Sequence, residues 1–556
     1  MTDPEPVSIP EKEISKGGVM LWIEFCAGLA FTAAIVYFHG FFAAHAGGLW
    51  RDEANTAGLS TMPTLGDVWN HLEFDSFPMV WLVVIRVLSA IGLGGDAPLR
   101  FVGMSMGILS LAGLWFCARS FRTGPPLFSL FLAALAPTVI VWGDTLRAHG
   151  VGLATGLIAY AMTWRLAERG DRRALLGMLL ATVLAVQTSY YNCIVVLAAC
   201  FGGLVACIQQ GNLRRSLMVI LAGVPSAVSI LPYLPVFHRA TDWNNVLYIP
   251  EYNLPIFWAN ISFALGHSGI WVVWLWLILL GFAAVLGIAA FSYLPDWKVP
   301  HGRQQVITFN LVALFVLIVG YFLFLKSLHY GTHEWYYVSL FGLVAAGIDG
   351  VCGASCINLG ARITRLTVAV AAFIALLPPT MQFLPYRLTD IDLIAAKLKE
   401  IAKEKDFVVV DPWYCGITYA RYNSSAAPWS TLPPMDFHRF HRFDLIKQMM
   451  QEKDQADPLR QLIQQIGETL RANGKVYFVG GFRNLAPGSR PVLLPPAPSE
   501  QAGWSSDTYS LAWSTQIGYF IQNHAIKADV VIPSEQSEHI NPYENTLLVS
   551  VEGWRD

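Results

Sequence analysis

The chain has 556 residues, of which 54% are hydrophobic and only 14% charged, and its net charge is −2. A soluble globular domain is about 25% charged, so this composition, with a mean hydropathy of +0.46, excludes an ordinary water-soluble fold and calls for many membrane spans. The near-neutral balance gives nucleic acid no electrostatic footprint.

A polar N-terminus, 1–18, leads into an apolar run at 19–44. That run is longer than a signal-peptide h-region of about 7–15 residues, which predicts an uncleaved first span. Further segments long enough to cross a bilayer fall at 99–118, 126–143, 148–164, 174–189, 192–208, 216–237, 269–294, 306–327, 335–352 and 365–385, making eleven with the first. The stretch 174–208 is divided in two because one helix of that length would run about 50 Å at ~1.5 Å per residue, against a hydrocarbon core of ~30 Å. Segment 78–92, "PMVWLVVIRVLSAIG", is short and carries Arg86.

The positive-inside rule assigns the sides. Basic loops at Arg119/Arg122, 165–173, 212–215, 298–303 and 362–365 are each separated by two spans, so all face the cytoplasm. Every loop is satisfied if 78–92 does not cross but lies as a re-entrant or interfacial helix in a long outer loop, 45–98. The N-terminus is then cytoplasmic. Segments 142–150, 187–192, 237–253, 326–337 and everything after about 386 are outside. In that tail, "DIDLIAAKLKEIAKE" reads as an amphipathic helix and "FVVVDP" as a buried strand. "DPLRQLIQQIGETLRANG" reads as a helix ending at Gly474, and "KVYFVGG" and "NTLLVSVE" read as strands. The alternation predicts a small α/β domain over 386–556 outside the membrane, and 423–440, rich in Ser, Pro and His, is expected to be loop. The predicted class is therefore a polytopic α-helical membrane protein with a small C-terminal extracytoplasmic α/β domain.

Most of the unusual polar residues fall on the outer face. Arg51, Asp52 and Glu53 follow the first span, in "GGLWRDEANT". They read either as a solvated boundary with a local salt bridge or as a working site, in which a partly desolvated Asp52 serves as general base. Asp144 and Arg147 share a face if helical, and read as an ion pair or as a substrate contact with a permanent cation for a phosphate. Tyr190 and Tyr191 end the next outer hairpin, as interface anchors or ligands. Arg239 and Lys326 are candidate phosphate contacts. His329, His333 and Glu334 crowd one outer turn, where a divalent metal is an alternative to phosphate binding, although the spacing is not HExxH. No nucleotide-binding glycine motif is present, so no ATP or dinucleotide cofactor is expected. "DID" at 390–392 reads better as a helix start than as a metal-binding triplet.

The order of these motifs resembles that of the GT-C membrane glycosyltransferases, in particular the bacterial branch that includes lipid A aminoarabinose transferases, rhizobial galacturonosyl transferases and protein O-mannosyltransferases. The likeness covers mainly residues 19–240. "LWRDEANTAGLS" is similar to the family's aspartate–glutamate motif, "FDSFPMVWLVV" to its D-x-H-P-P-L-Y-Y stretch, and "WGDTLRAHGVGL" to Q-E-A-R-x-Y-A-L. Phe77 stands where the family often has His, and Thr145 where Glu is common. "TSYY" replaces T-H-Y, and "HEWYY" replaces a late Arg-Tyr. The resemblance implies Asp52 as general base with Glu53 in support, and a polyprenyl-phosphate sugar as donor. It also implies a lipid or cell-envelope glycan as acceptor, membrane lipids as surroundings, and an inverting displacement. Arg147, Lys326, Arg239 and His329 would then hold the donor phosphate, and Asp144, Tyr190, Tyr191, His333 and Glu334 would contact substrate. The rival reading is a lipid or glycan transporter that uses the same charges only to bind.

Overall fold

The structure is a computed structural model and describes residues 11–247, 252–291, 299–328, 331–534 and 539–556. Eight of the described helices are long and apolar enough to cross a membrane. They make the chain a polytopic helical membrane protein, to which a C-terminal α/β domain is attached. The first span is helix α1 (Glu11–His45). It leaves through Gly47, whose φ of +71° suits glycine, and the chain re-enters helix α2 (Arg51–Ser60). Helix α3 (Leu65–Asn70) follows. Its start is fixed by a capping box, in which the Asp67 N–H donates to Thr64 Oγ1 at 3.0 Å and the Thr64 N–H donates back to Asp67 at 2.9 Å. Helix α4 (Met79–Leu88) runs on into a wider turn, Ser89–Leu93, and is too short to cross. Helix α5 (Asp96–Phe121) is the next full span.

Three of the eleven expected spans depart from a long apolar helix. Segment 126–143 is broken: Leu127–Ser129 gives way to a wide turn over Leu130–Ala134, and the helix restarts at Pro137–Gly143. Proline at the restart has no N–H to give to the preceding turn. The segment is almost wholly buried among the other helices, where irregular backbone at membrane depth is tolerated. Segment 174–189 forms a helix of 17 residues, Arg172–Thr188. Segment 148–164 lies within His149–Arg169, which is long enough but less apolar than the eight. A further helix, Leu254–Gly266, falls in a stretch read as neither span nor outer loop.

The C-terminal domain is built on strands β1 (Phe407–Val410), β2 (Trp429–Thr431), β3 (Lys475–Val479), β4 (Ala525–Ile532) and β5 (Leu548–Trp554), in spatial order β2-β1-β3-β5-β4. The β2-β1-β3 half is parallel and the β3-β5-β4 half antiparallel. "FVVV" is apolar throughout because successive side chains alternate faces and helices cover both. Phe407 and Val409 pack with Leu462, Ile466, Trp513 and Ile517, and Val408 and Val410 pack with Ile391, Ile394, Leu398 and Tyr419. Strand β2 lies inside the expected 423–440 loop. β4 is an edge strand, largely exposed and carrying Lys527 and Asp529, which removes the apolar alternation that would have marked it.

The two parts are joined by specific bonds. The Leu388 N–H donates to the Ala46 carbonyl (2.9 Å), the Leu49 N–H to the Tyr422 hydroxyl (2.5 Å) and the Tyr422 hydroxyl to Asp96 (2.6 Å). The C-terminal domain therefore sits on the end of the bundle where α1 ends and α5 begins. At the opposite end, Arg362 pairs with Glu24, and Arg365 with Asp349 at 2.8 Å.

Candidate active site

Helix α2 places Asp52 and Glu53 in its first turn, where the helix dipole favours negative charge. Glu53 is fully buried and fully bonded. Arg100, one turn into α5, donates to both its oxygens at 2.7 and 3.0 Å, and the backbone N–H groups of Leu146 (2.7 Å) and Trp50 (3.2 Å) complete the set. Glu53 thus ties α2, α5 and the 144–148 turn together, and it has no lone pair left for substrate.

Asp52 is held more loosely. Arg51 Nε lies 3.3 Å and His441 Nε2 3.4 Å from its Oδ1, and its side chain keeps 16% of its surface exposed. Arg147 donates to the Asp52 carbonyl at 3.3 Å. Burial works to raise the Asp52 pKa, but the His441 hydrogen bond and the charges of Arg51 and Arg147 outweigh it and hold the carboxyl well below the usual carboxylate range. Asp52 is therefore an anion between two guanidinium groups. Burial also lowers the His441 pKa, so the ring is neutral and its Nε2–H points to Asp52. Its Nδ1 is buried without a partner.

Arg147 is not paired with Asp144. It reaches Asp75 (2.9 Å) and the Thr56 hydroxyl (2.8 Å) and lies over the Phe77 ring at 4.8 Å, so Phe77 takes up the cation's face. Its Nε is buried and without a partner. Asp144 turns the other way, to His39 at 2.7 Å. Arg51 lies against three rings, Tyr414 at 4.6 Å, Tyr543 at 4.9 Å and Trp50 at 5.4 Å. Among the described residues, no acceptor is bonded to its terminal nitrogens. Its backbone N–H donates to Glu544 (3.0 Å), which also accepts from the Thr418 hydroxyl (2.6 Å). Burial pushes the Glu544 carboxyl up to about 8.

The other candidates divide. His333 belongs to the site's rim: it bonds the Tyr543 hydroxyl at 2.8 Å and stacks on Trp335. Burial, reinforced by the Arg51 charge, lowers its pKa to about 4. Trp335 joins Trp50 and Trp142 in one aromatic cluster beneath Arg51. Glu334 points away, to His267. Tyr190 packs on Tyr233 and Phe237, and Tyr191 on Tyr321, Phe324 and Tyr336, so the two tyrosines face different neighbours. Arg239 is committed to Glu73 at 3.0 Å and to the Trp69 carbonyl at 2.9 Å. Lys326 is exposed at the end of helix His301–Leu328. His329 lies outside the described residues. Among the described residues, no three His, Cys, Asp or Glu side chains group as a metal site.

Sequence reading did not single out His441, Asp75, Thr56, Arg100, Tyr414, Tyr543 or Glu544 as site residues. Two of them carried a local signal: Asp75 stands in the stretch likened to D-x-H-P-P-L-Y-Y, and His441 in the doubled triplet "HRFHRF" at 438–443. Asn55 fixes that loop on α2, accepting from the His441 N–H (2.8 Å) and donating to the Phe74 carbonyl (3.2 Å). Gly58 allows the approach, since a Cβ there would lie 2.0 Å from the Arg439 carbonyl oxygen.

Fold and site together define a polytopic membrane protein in which a C-terminal domain closes a charged, aromatic-rimmed site at one end of the helical bundle. No family model matches the chain, and no curated protein matches it in sequence. It is similar in fold to ArnT from Cupriavidus metallidurans bound to undecaprenyl phosphate, with 14% identity, 94% of this chain and 97% of that chain covered, and a TM-score of 0.46. It is likewise similar to the oligosaccharyltransferase AglB from Archaeoglobus fulgidus in complex with an inhibitory peptide and a dolichol-phosphate, with 10% identity, 93% and 80% coverage, and a TM-score of 0.47. The apo form of the Archaeoglobus fulgidus enzyme gives 10% identity, 92% and 80% coverage, and a TM-score of 0.49.

Proposed function

We propose that the protein is a membrane glycosyltransferase. It moves a sugar from a polyprenyl-phosphate donor to a hydroxyl of a lipid or cell-envelope glycan, at the extracytoplasmic face of the inner membrane. The observation that carries this reading is the Asp52 carboxyl group 3.3 Å from Arg51 Nε, with Arg147 on its backbone carbonyl, at the end of a bundle of apolar helices. A carboxylate beside two cations suits a reaction in which one oxygen loses a proton while another gains negative charge.

In this mechanism the acceptor hydroxyl attacks the anomeric carbon from the face opposite the phosphate. The bond from that carbon to the lipid-phosphate oxygen breaks, its electron pair stays with the phosphate, and the configuration inverts. Asp52 takes the hydroxyl proton. Its depressed pKa makes it a weak base towards a free alcohol, so proton transfer follows the new C–O bond, which renders the attacking oxygen strongly acidic. The uncommitted N–H groups of Arg51 and Arg147 take up the charge on the departing phosphate. Phosphate is a good leaving group and needs charge stabilisation more than protonation. Glu53 holds the frame. Arg239 and Lys326 have no part in this arrangement.

The test is to reconstitute the purified protein in lipid nanodiscs and supply a panel of polyprenyl-phosphate sugars with lipid acceptors. The products are then analysed by mass spectrometry. A glycosylated acceptor and free polyprenyl phosphate are expected. Movement of the intact donor across a vesicle membrane with no product formed would replace this reading with that of a transporter.

A further inference from the structure

A cavity of about 680 Å³ opens in the C-terminal domain. It lies at the carboxyl ends of the parallel strands β1 and β3, the place where open α/β sheets bind ligands. Asp411, directly after β1, and Gly480–Gly481, directly after β3, form its floor. The two strand ends touch so closely that a Cβ on Gly480, at φ +93°, would fall 1.5 Å from the Asp411 carbonyl oxygen. One wall is helix Ser506–His524, which brings Asp507, Ser510 and Ser514; Ser514 donates to Asp411 at 2.6 Å. Arg483 and Asn484 also line it, exposed.

Two features identify the kind of ligand. The first is the lining, which combines carboxylates, an amide, a guanidinium and hydroxyls with the rings of Tyr414 and Phe482. Planar groups of this type exchange paired hydrogen bonds with neighbouring hydroxyls, and rings cover the C–H faces between them. Asp529 is paired with Lys527 and burial pushes the Asp411 carboxyl up to about 7, which leaves Asp507 and Arg483 to balance, so the lining carries little net charge and offers a phosphate no cluster of cations. The second is its position. Tyr414 lines the cleft, and the same ring lies 4.6 Å from the Arg51 guanidinium, whose Nε is 3.3 Å from Asp52. Cleft and carboxylate are therefore two side chains apart.

We infer that this cleft is the acceptor-binding site, taking an uncharged or amino-bearing saccharide of a few residues and presenting one end of it past Tyr414 towards Asp52. The inference rests on the glycosyltransferase reading for its purpose but not for its test. A volume of this size lies within the about 300–1,000 Å³ typical of ligand pockets. It also divides the substrates: the anionic donor at Arg51 and Arg147, the hydroxyl-rich acceptor in a cleft without a cluster of cations.

The test is equilibrium binding to the full-length protein in nanodiscs, with no donor present, using maltotriose, chitotriose and the chitosan trimer as probes and pentalysine as a charge control. Binding of at least one saccharide is expected, retained in Asp52→Asn and weakened at least tenfold in Ser510→Trp, which fills the cleft. Asp507→Lys, an exposed change that leaves the domain core untouched, is expected to abolish any preference for the amino sugar. Thermal unfolding confirms that each variant is folded. Saccharide binding that is unaltered by both cleft variants, binding of pentalysine alone, or no binding at all would overturn the inference. Cleft-dependent binding by a protein that transfers no sugar would leave the cleft assigned while removing the glycosyltransferase reading.

Discussion

Asp52 and Glu53 are consecutive carboxylates on one helical turn, yet their surroundings are opposite. Glu53 has no exposed surface and accepts four well-formed hydrogen bonds, from Arg100 twice, Leu146 and Trp50. Asp52 keeps some exposure, and its two side-chain contacts, to Arg51 and His441, are long at 3.3 and 3.4 Å. A saturated carboxylate in a buried bidentate pair is a structural joint. One with long contacts, open lone pairs and cations on either side is free to exchange partners with a substrate. The acidic pair thus separates into a residue that holds the site and a residue proposed to work in it.

Breaking the joint should have the largest effect. Glu53→Ala leaves Arg100 charged, buried and without a partner, and removing one member of a buried pair costs about 3–5 kcal/mol. Chemical denaturation in mild detergent should show that loss, and activity should vanish with the fold. Arg51→Ala acts on the open side. It removes a cation with uncommitted donors, and by analogy with the loss of one transition-state donor, turnover should fall about 10²–10³-fold with an unfolding midpoint close to that of the parent.

The smallest effect sharpens the comparison by pH. His441 donates to Asp52 and helps depress its pKa, so in His441→Phe that pKa rises towards the ordinary carboxylate value. Asp52 is active when ionised, so the change appears on the acid side. Activity should persist to lower pH in the parent than in the variant, whose acid limb should move up towards the ordinary aspartate range, about 4. Near pH 7 the two should differ by no more than about tenfold, since Asp52 is ionised in both.

The helical part of the fold was legible because membrane spans announce themselves by apolar length. Segment 126–143 passed that test and is nevertheless broken, because its surroundings are protein and supply the partners a lipid-facing helix must find in itself. In the C-terminal domain, "FVVV" and "KVYFV" were legible as strands buried on both faces. "AIKADVVI" was not, because an edge strand facing solvent has no reason to alternate. Asp52 was legible as a candidate from its place after the first span. The contacts that define its role were not, since His441 lies 389 residues away in sequence and Glu544 contacts Arg51 across 493. Nor does spacing reveal that Arg147 belongs to Asp75 rather than to Asp144. That choice is made by the turn linking Gly143 to His149, which sends the two side chains in opposite directions.

The central claim is that Asp52 carries the chemistry while contributing little to the fold, and Asp52→Asn tests it most directly. The substitution keeps the shape and most of the hydrogen bonding and removes the charge. Sugar transfer in nanodiscs should fall by roughly 10²–10⁴, the value of a positioned base, with the unfolding midpoint within a few degrees of the parent's. Transfer within tenfold of the parent, by a variant that folds equally well, would contradict the account.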